Sequence, residues 1–198
     1  MTSKERLLIS IQESIAAKEK MAKELVHIIE QAALLLIRCL QQGKKILICG
    51  NGGSAADAQH FAAELVNRFE TNRPPLAALA LTTDTSTLTS IGNDFSFDEI
   101  FSKQIEALGQ QGDVFIAMST SGNSKNILKA MEVAAQKHIK VIALTGETGG
   151  KMTTLLGEQD IAILAPSSRT ARIQECHILC LHLFCEAIDQ ALFSDANF

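Results

Sequence analysis

KKILICGNGGSAADAQHFAAEL, Lys44 to Leu65, passes from a short apolar run through a glycine-rich turn into a helical pattern. An unbroken apolar run of this length predicts a strand buried on both faces, as in a parallel sheet. The turn GNGGS follows, and Ser54 is expected to cap the helix SAADAQHFAAELVNRF. The same cycle recurs: LAALALT, DVFIAMS, KVIALTG and DIAILAP read as further strands, with DEIFSKQIEALG and SKNILKAMEVAAQKH as helical stretches between them. The alternation predicts an α/β protein whose five-stranded parallel sheet is wrapped by helices. Upstream, Leu8, Ile11, Ile15, Leu25, Ile28, Ile29, Ala32 and Leu36 recur at three- and four-residue spacing. They predict two helices over about residues 3–42, the second closed by Gly43 as a C-cap. From about Arg169 to Phe193 a long helix rich in Leu, Ile and Cys is expected, apolar broadly enough for burial on more than one side, including between subunits.

The 198 residues suit a single domain, and 46% hydrophobic with 20% charged residues reads as globular. A net charge of -4 supplies no basic field for gripping nucleic acid. The mixed-charge N-terminus MTSKERLLISIQESIAAKEK is neither a secretory signal nor a membrane anchor, and AALLLIRCL is too short to span a bilayer. A cytoplasmic protein with no membrane association is expected. Five cysteines, Cys39, Cys49, Cys176, Cys180 and Cys185, suit buried free thiols in a reducing compartment. Cys176 and Cys180 share a helix face, but no second thiolate pair accompanies them as a soft metal site requires.

In such sheets ligands bind beyond the carboxyl ends of the strands. The polar segments GNGGS, TTDTSTLTSIGND and STSGNS, read as loops, sit at those ends. In GNGGS and STSGNS small residues let backbone N–H groups approach an anion, hydroxyls add donors, and a helix begins at once. Neither has the lysine of a P-loop or the G-x-G-x-x-G spacing of a dinucleotide fold, so one phosphate monoester fits better than a nucleotide triphosphate. A plain tight turn uses the same residues. Ser119, Thr120, Ser121 and Ser124, four hydroxyls in six residues, exceed what a turn needs.

His60 and Glu64, four apart, lie on one helix face, a spacing that suits two metal ligands, an acid–base pair or an exposed surface pair. Asp57, one turn earlier, reads as a solvated carboxylate favoured by the helix dipole. The last helix adds Gln174, His177 and His182. Gln174 and His182 are separated by a rise of roughly 12 Å, too far for one ion to be held by both from one straight helix. If both serve one site, two subunits supply them more easily.

Together GNGGS, the His60 and Glu64 pair, GND, STSGNS and RIQE followed by His182 make the chain resemble the bacterial phosphoheptose (sedoheptulose 7-phosphate) isomerases, which are SIS-domain proteins. The resemblance runs from the N-terminal helices to Phe193. It implies the SIS fold, a three-layer sandwich over residues 1–198, with the N-terminal helices contributing to oligomer packing and active sites at the interfaces of a homotetramer. It implies interconversion of D-sedoheptulose 7-phosphate and D-glycero-D-manno-heptose 7-phosphate, the entry to ADP-heptose and the lipopolysaccharide core. The implied substrate contacts are Asn51, Gly52, Gly53, Glu64, Asn93, Asp94, Ser119, Thr120, Ser121, Ser124 and Gln174. The implied ligands of one Zn²⁺ per subunit are His60, Glu64, Gln174 and His182. In this reading Glu64 is the base of an enediol mechanism and His182, from a neighbouring subunit, the acid. His177 stays structural. Some relatives carry an acidic residue immediately before RIQE; this chain has Arg172 opening that motif and Ala171 before it, so a mechanism using that carboxylate does not apply.

RFETNRP, LLGEQDIAI and RTARIQE also resemble the initiator-associating protein, a non-enzymatic tetramer of the same fold that binds the bacterial replication initiator. In that relative the positions of Glu64 and His182 carry residues unable to act as base or acid. Both are present here, which favours an enzyme. A sugar-phosphate sensor of a transcription regulator ranks last, because no basic helix-turn-helix segment accompanies the domain.

Overall fold

In the computed structural model, which describes residues 1–193, five parallel strands lie in the order β2-β1-β3-β4-β5. They are β1 (Ile46–Cys49), β2 (Ala78–Ala80), β3 (Val114–Ser119), β4 (Lys140–Gly146) and β5 (Ile161–Ala165). The helices are α1 (Ser3–Glu24), α2 (Val26–Gln41), α3 (Gly53–Val66), α4 (Thr85–Asp94), α5 (Ser102–Leu108), α6 (Lys125–Gln136) and α7 (Thr170–Phe193).

Side chains alternating along the strands divide the core into two layers. Ile46, Ile48, Val114, Ile116, Met118, Ile142 and Leu144 face a layer formed with α1, α2, α3 and α7. Leu47, Cys49, Phe115, Ala117, Val141 and Ala143 face α5 and α6 on the other side. Each of the central strands β1 and β3 is buried along its whole length, which is why their sequences read as continuous apolar runs. The chain starts at β1, reaches the edge at β2, then returns past β1 to β3, so the direction of travel reverses between β1 and β3. Pairing of Ile46 with Val114 through Cys49 with Ala117 brings the loops after these two strands side by side at that switch point.

Gly43, at φ +67, closes α2 with bonds from its own N–H to Leu40 and from Lys44 N–H to Cys39, a Schellman arrangement. Two other expectations need correction. Ser54 is not the cap of α3. Gly52 occupies that position at φ +56, the helix opens at Gly53, and Ser54 is buried in its first turn. The turn closes earlier than expected because glycine accepts the left-handed backbone that a serine cap would not. TTDTSTLTSIGND is not a loop but holds α4, whose N-cap Asp84 accepts from Thr87 N–H and whose Thr- and Ser-rich sequence packs against the core only through Leu88 and Ile91. The stretch DEIFSKQIEALG is divided as well, into a 3₁₀ turn at Phe97–Glu99 and the short α5.

α7 is long and apolar enough to cross a membrane by length and composition. Here Ile173, Cys176, Cys180, Phe184, Cys185 and Ile188 line its buried face in the core. All five cysteines are free and buried, and burial pushes the thiols of Cys180 and Cys185 up to about 12, which leaves them unreactive.

His177 of α7 is fully buried, with Nε2 3.1 Å from the carbonyl oxygen of Thr145. Burial holds its pKa down to about 4. In the unfolded chain a histidine titrates near ~6.5, so between these values the unfolded chain binds a proton that the native one refuses. The contribution is complete above ~6.5, is lost as pH falls through the window, and amounts to about 3 kcal/mol across it. The stability difference between wild type and His177→Gln, from urea unfolding, should therefore shrink by about that amount from pH 7 to pH 4. Parallel pH curves for the two proteins would contradict the assignment.

Candidate active site

At the switch point a cavity of about 290 Å³ is lined by Asn51, Gly52, Gly53, Ser54, Met118, Ser119, Thr120, Ser124, Thr170 and Gln174. A larger one, about 680 Å³, opens where β4 and β5 begin, lined in part by Leu35, Arg38, Lys140 and Glu158. Only the smaller cavity has helix N-termini converging on it.

Two loops build it. After β1 the chain turns at Gly52 directly into α3, and after β3 Ser124 stands as N-cap of α6 without a side-chain bond to its own helix. Its carbonyl accepts from Ile127 and Leu128 N–H of that helix, while its hydroxyl meets that of Ser119 at 2.9 Å, and Ser119 lies 3.4 Å from Ser121. The backbone amides opening α3 and α6 and these hydroxyls form a lining of the kind that suits an anion, with no lysine or arginine in it. The loops are fastened by a reciprocal amide pair: Asn51 Nδ2 donates to Asn126 Oδ1 and Asn126 Nδ2 donates to Asn51 Oδ1, both at 2.9 Å. Asn126, buried and absent from the sequence reading, thus engages the side-chain amide of Asn51, an expected substrate contact that still borders the cavity. Gly122 at φ +65 rests against the backbone of Gly149, leaving no space for a β-carbon.

α3 and α7 run side by side in the same direction. At their beginnings Gln174 reaches Gly53, and two turns further on His60 reaches His182. His60 Nε2 is 3.0 Å from His182 Nε2 and 3.3 Å from Glu64 Oε1. The His182 ring is stacked against Phe69, with centroids 5.8 Å apart. His182 therefore meets His60 of its own chain, where the sequence had suggested it comes from a neighbour. Gln174 does not join them, since a rise of roughly 10 Å along α3 separates Gly53 from His60.

Asp57 lies on α3 between these two points. It is not the solvated carboxylate its first-turn position suggested: Oδ2 is buried with no hydrogen-bond partner among the described residues. Burial raises its pKa above the usual carboxylate range, an effect partly offset by His60 and His182. Local spacing does not reveal this, since one of the groups acting on the carboxylate, His182, lies far along the chain. Asn93 and Asp94 end α4, exposed and bonded to each other at 2.8 Å, and are not among the residues lining the cavity.

Two imidazole nitrogens and a carboxylate are the donor types Zn²⁺ selects. In one chain they are closed on one another by hydrogen-bond contacts, and among the described residues no group of three or more His, Cys, Asp and Glu side chains surrounds a common metal point.

The SIS domain family model matches residues 11–146. Phosphoheptose isomerases of Shewanella loihica and Shewanella denitrificans are 57% and 58% identical over 189 residues, covering 96% of this chain and 96% of each relative. The chain belongs to the phosphoheptose isomerases of the SIS-domain family. Among solved structures, the phosphoheptose isomerase of Neisseria gonorrhoeae superposes with a TM-score of 0.90 at 52% identity, covering 96% of this chain and 100% of that one. The enzyme of Francisella tularensis gives 0.93 at 46% identity with the same coverage. The Vibrio vulnificus NanR protein, at 15% identity and a TM-score of 0.68 over 96% of this chain and 65% of that one, shares the fold alone. The curated relatives thus favour an isomerase over the initiator-binding reading.

A β-carbon on Gly53 would lie 2.3 Å from Gln174 Nε2. Gly53→Ala should displace that flexible amide rather than unfold the protein, raising KM for a phosphorylated substrate about fivefold, the worth of roughly one hydrogen bond. Steady-state kinetics and thermal melting check this; a lowered melting temperature with unchanged KM contradicts it.

Proposed function

We infer that the protein interconverts D-sedoheptulose 7-phosphate and D-glycero-D-manno-heptose 7-phosphate, the step that opens ADP-heptose and lipopolysaccharide core synthesis. The observation that carries the reading is the two-point layout of the α3–α7 seam, with an anion-binding cavity at one end and His60, Glu64 and His182 gathered at the other. That separation is of the order of an extended seven-carbon chain, so a phosphate held at Ser119, Thr120, Ser121 and Ser124 directs the other end of the sugar toward Glu64. Fixing the phosphate turns an encounter into a positioned reaction.

The chemistry moves a proton from C1 of the open-chain ketose to C2 through an enediol. Glu64 is the base that takes and returns it. Its side chain is 22% exposed, open enough for substrate yet held beside His60. His182 transfers the proton on oxygen as charge builds there, its ring steadied between His60 and Phe69.

We further propose one Zn²⁺ per chain; His60, Glu64 and His182 supply the donor types and would have to part from their mutual contacts to hold it. Bound there, zinc supplies Lewis acidity toward the substrate oxygens. The place of Gln174 beside Gly53 agrees with a substrate contact in its own chain, and a role as fourth ligand requires a second chain. Such sharing fits a homotetramer, which the apolar stripe of Leu8, Ile11 and Ile15 exposed along α1 also favours. Asn93 and Asp94 reach substrate only on that same shared-site reading. We place the protein in the cytoplasm, where its five free cysteines stay reduced.

Purified protein should hold about one zinc per chain and convert sedoheptulose 7-phosphate to the aldose. Glu64→Gln should keep the oligomer and lower kcat by roughly 10²–10⁴-fold, the usual contribution of a positioned base. Near-normal turnover by that variant would remove Glu64 from the role, and an inactive wild type, zinc-loaded or not, would remove the function.

A further inference from the structure

The connection from α3 to β2 carries the most heavily bonded arginine among the described residues. Arg73, with its side chain wholly inaccessible, donates from Nη2 to the carbonyl of Glu64 at 2.8 Å and from Nη1 to the carbonyls of Leu65 at 2.8 Å and Pro74 at 3.1 Å. Its Nε bonds Asp189 Oδ1 at 2.6 Å, and Thr71 holds the other oxygen of that carboxylate at 3.0 Å. Glu64 and Leu65 lie in the last turn of α3, whose carbonyls have no partner within the helix, and a cation there also opposes the negative end of the helix dipole. Asp189 lies on α7 seven residues after His182, two turns along and on nearly the same face.

One guanidinium therefore ties the turn that carries Glu64 to the helix that carries His182. The same connection supplies Phe69, the ring stacked on His182. Without the clamp the carbonyl of Glu64 loses the guanidinium while that of Leu65 keeps Leu76 N–H, so the turn stays attached at Leu65 but Glu64 is held less firmly. A lysine cannot replace the arginine, because a single ammonium cannot reach two helix carbonyls and a carboxylate in the fixed directions of the planar fork.

We propose that Arg73, paired with Asp189, is a positioning residue for the isomerisation, setting the placement of Glu64 relative to His182 without touching substrate. The proposal rests on the isomerase reading, and wild-type turnover measured beside the variants separates a failure of that reading from a failure of the clamp. Because the phosphate is anchored in the distant cavity, loss of the clamp acts on kcat and leaves KM largely in place.

Two variants test it. Arg73→Lys keeps a charge opposite Asp189. The double replacement Arg73→Met with Asp189→Leu removes both buried charges, so neither is left unpaired in the core. Each is assayed with sedoheptulose 7-phosphate alongside thermal melting and hydrodynamic size. A fall in kcat of roughly 10-fold or more in a folded variant, with KM within about threefold of wild type, is the expected result. A folded variant with kcat within about twofold of wild type, or with its loss confined to KM, overturns the proposal. If the double replacement does not fold, Arg73→Lys decides alone by the same criteria.

Discussion

Side-by-side packing of α3 and α7 in one direction is the constraint on which the site depends. Each helix alone displays its polar residues at unremarkable intervals. Laid parallel, they pair Gly53 with Gln174 at one level and His60 with His182 two turns on. The absent side chain of Gly53 allows the close approach at the first level, and the ring contacts of His182 with His60 and Phe69 fill the second. Asp57, with a buried carboxylate oxygen, lies between.

The sheet supplies the other half of the arrangement. Reversal of strand order between β1 and β3 leaves a crevice where the chain goes opposite ways, and both loops there lead straight into helices. Converging helix N-termini and serine hydroxyls suit a phosphate monoester without a fixed cation, and the Asn51 and Asn126 amides keep the loops in register. On the proposed mechanism, substrate binding and proton transfer fall on rigid elements, separated by a distance set by the rise of α3.

Local patterns explain how much of this was readable in the sequence. Apolar runs such as KVIALTG marked the strands because both faces of a central parallel strand are buried, and β4 spans those seven residues. Gly43 marked the end of α2 because a Schellman closure selects glycine. α4 escaped because its Thr, Ser and Gly residues read as a turn, its apolar face is only Leu88 and Ile91, and its start rests on one aspartate cap. Ser54 was misread because glycine at position 52 closes the turn first. The site was legible residue by residue but not as an assembly: the contact of His60 with His182 spans 122 positions, and that of Asn51 with Asn126 spans 75. No periodicity reports such pairings. Family resemblance named His182, while Asn126, Arg73 and the buried state of Asp57 emerge only from packing.

The most direct test of this account is a crystal structure of Glu64→Gln with bound sedoheptulose 7-phosphate. The account predicts phosphate between the GNGGS and STSGNS loops, with C1 and C2 about 3–3.5 Å from the side chain at position 64 and close to His182. Phosphate bound elsewhere, or reacting carbons beyond reach of both positions 64 and 182 in every chain of the assembly, would contradict it.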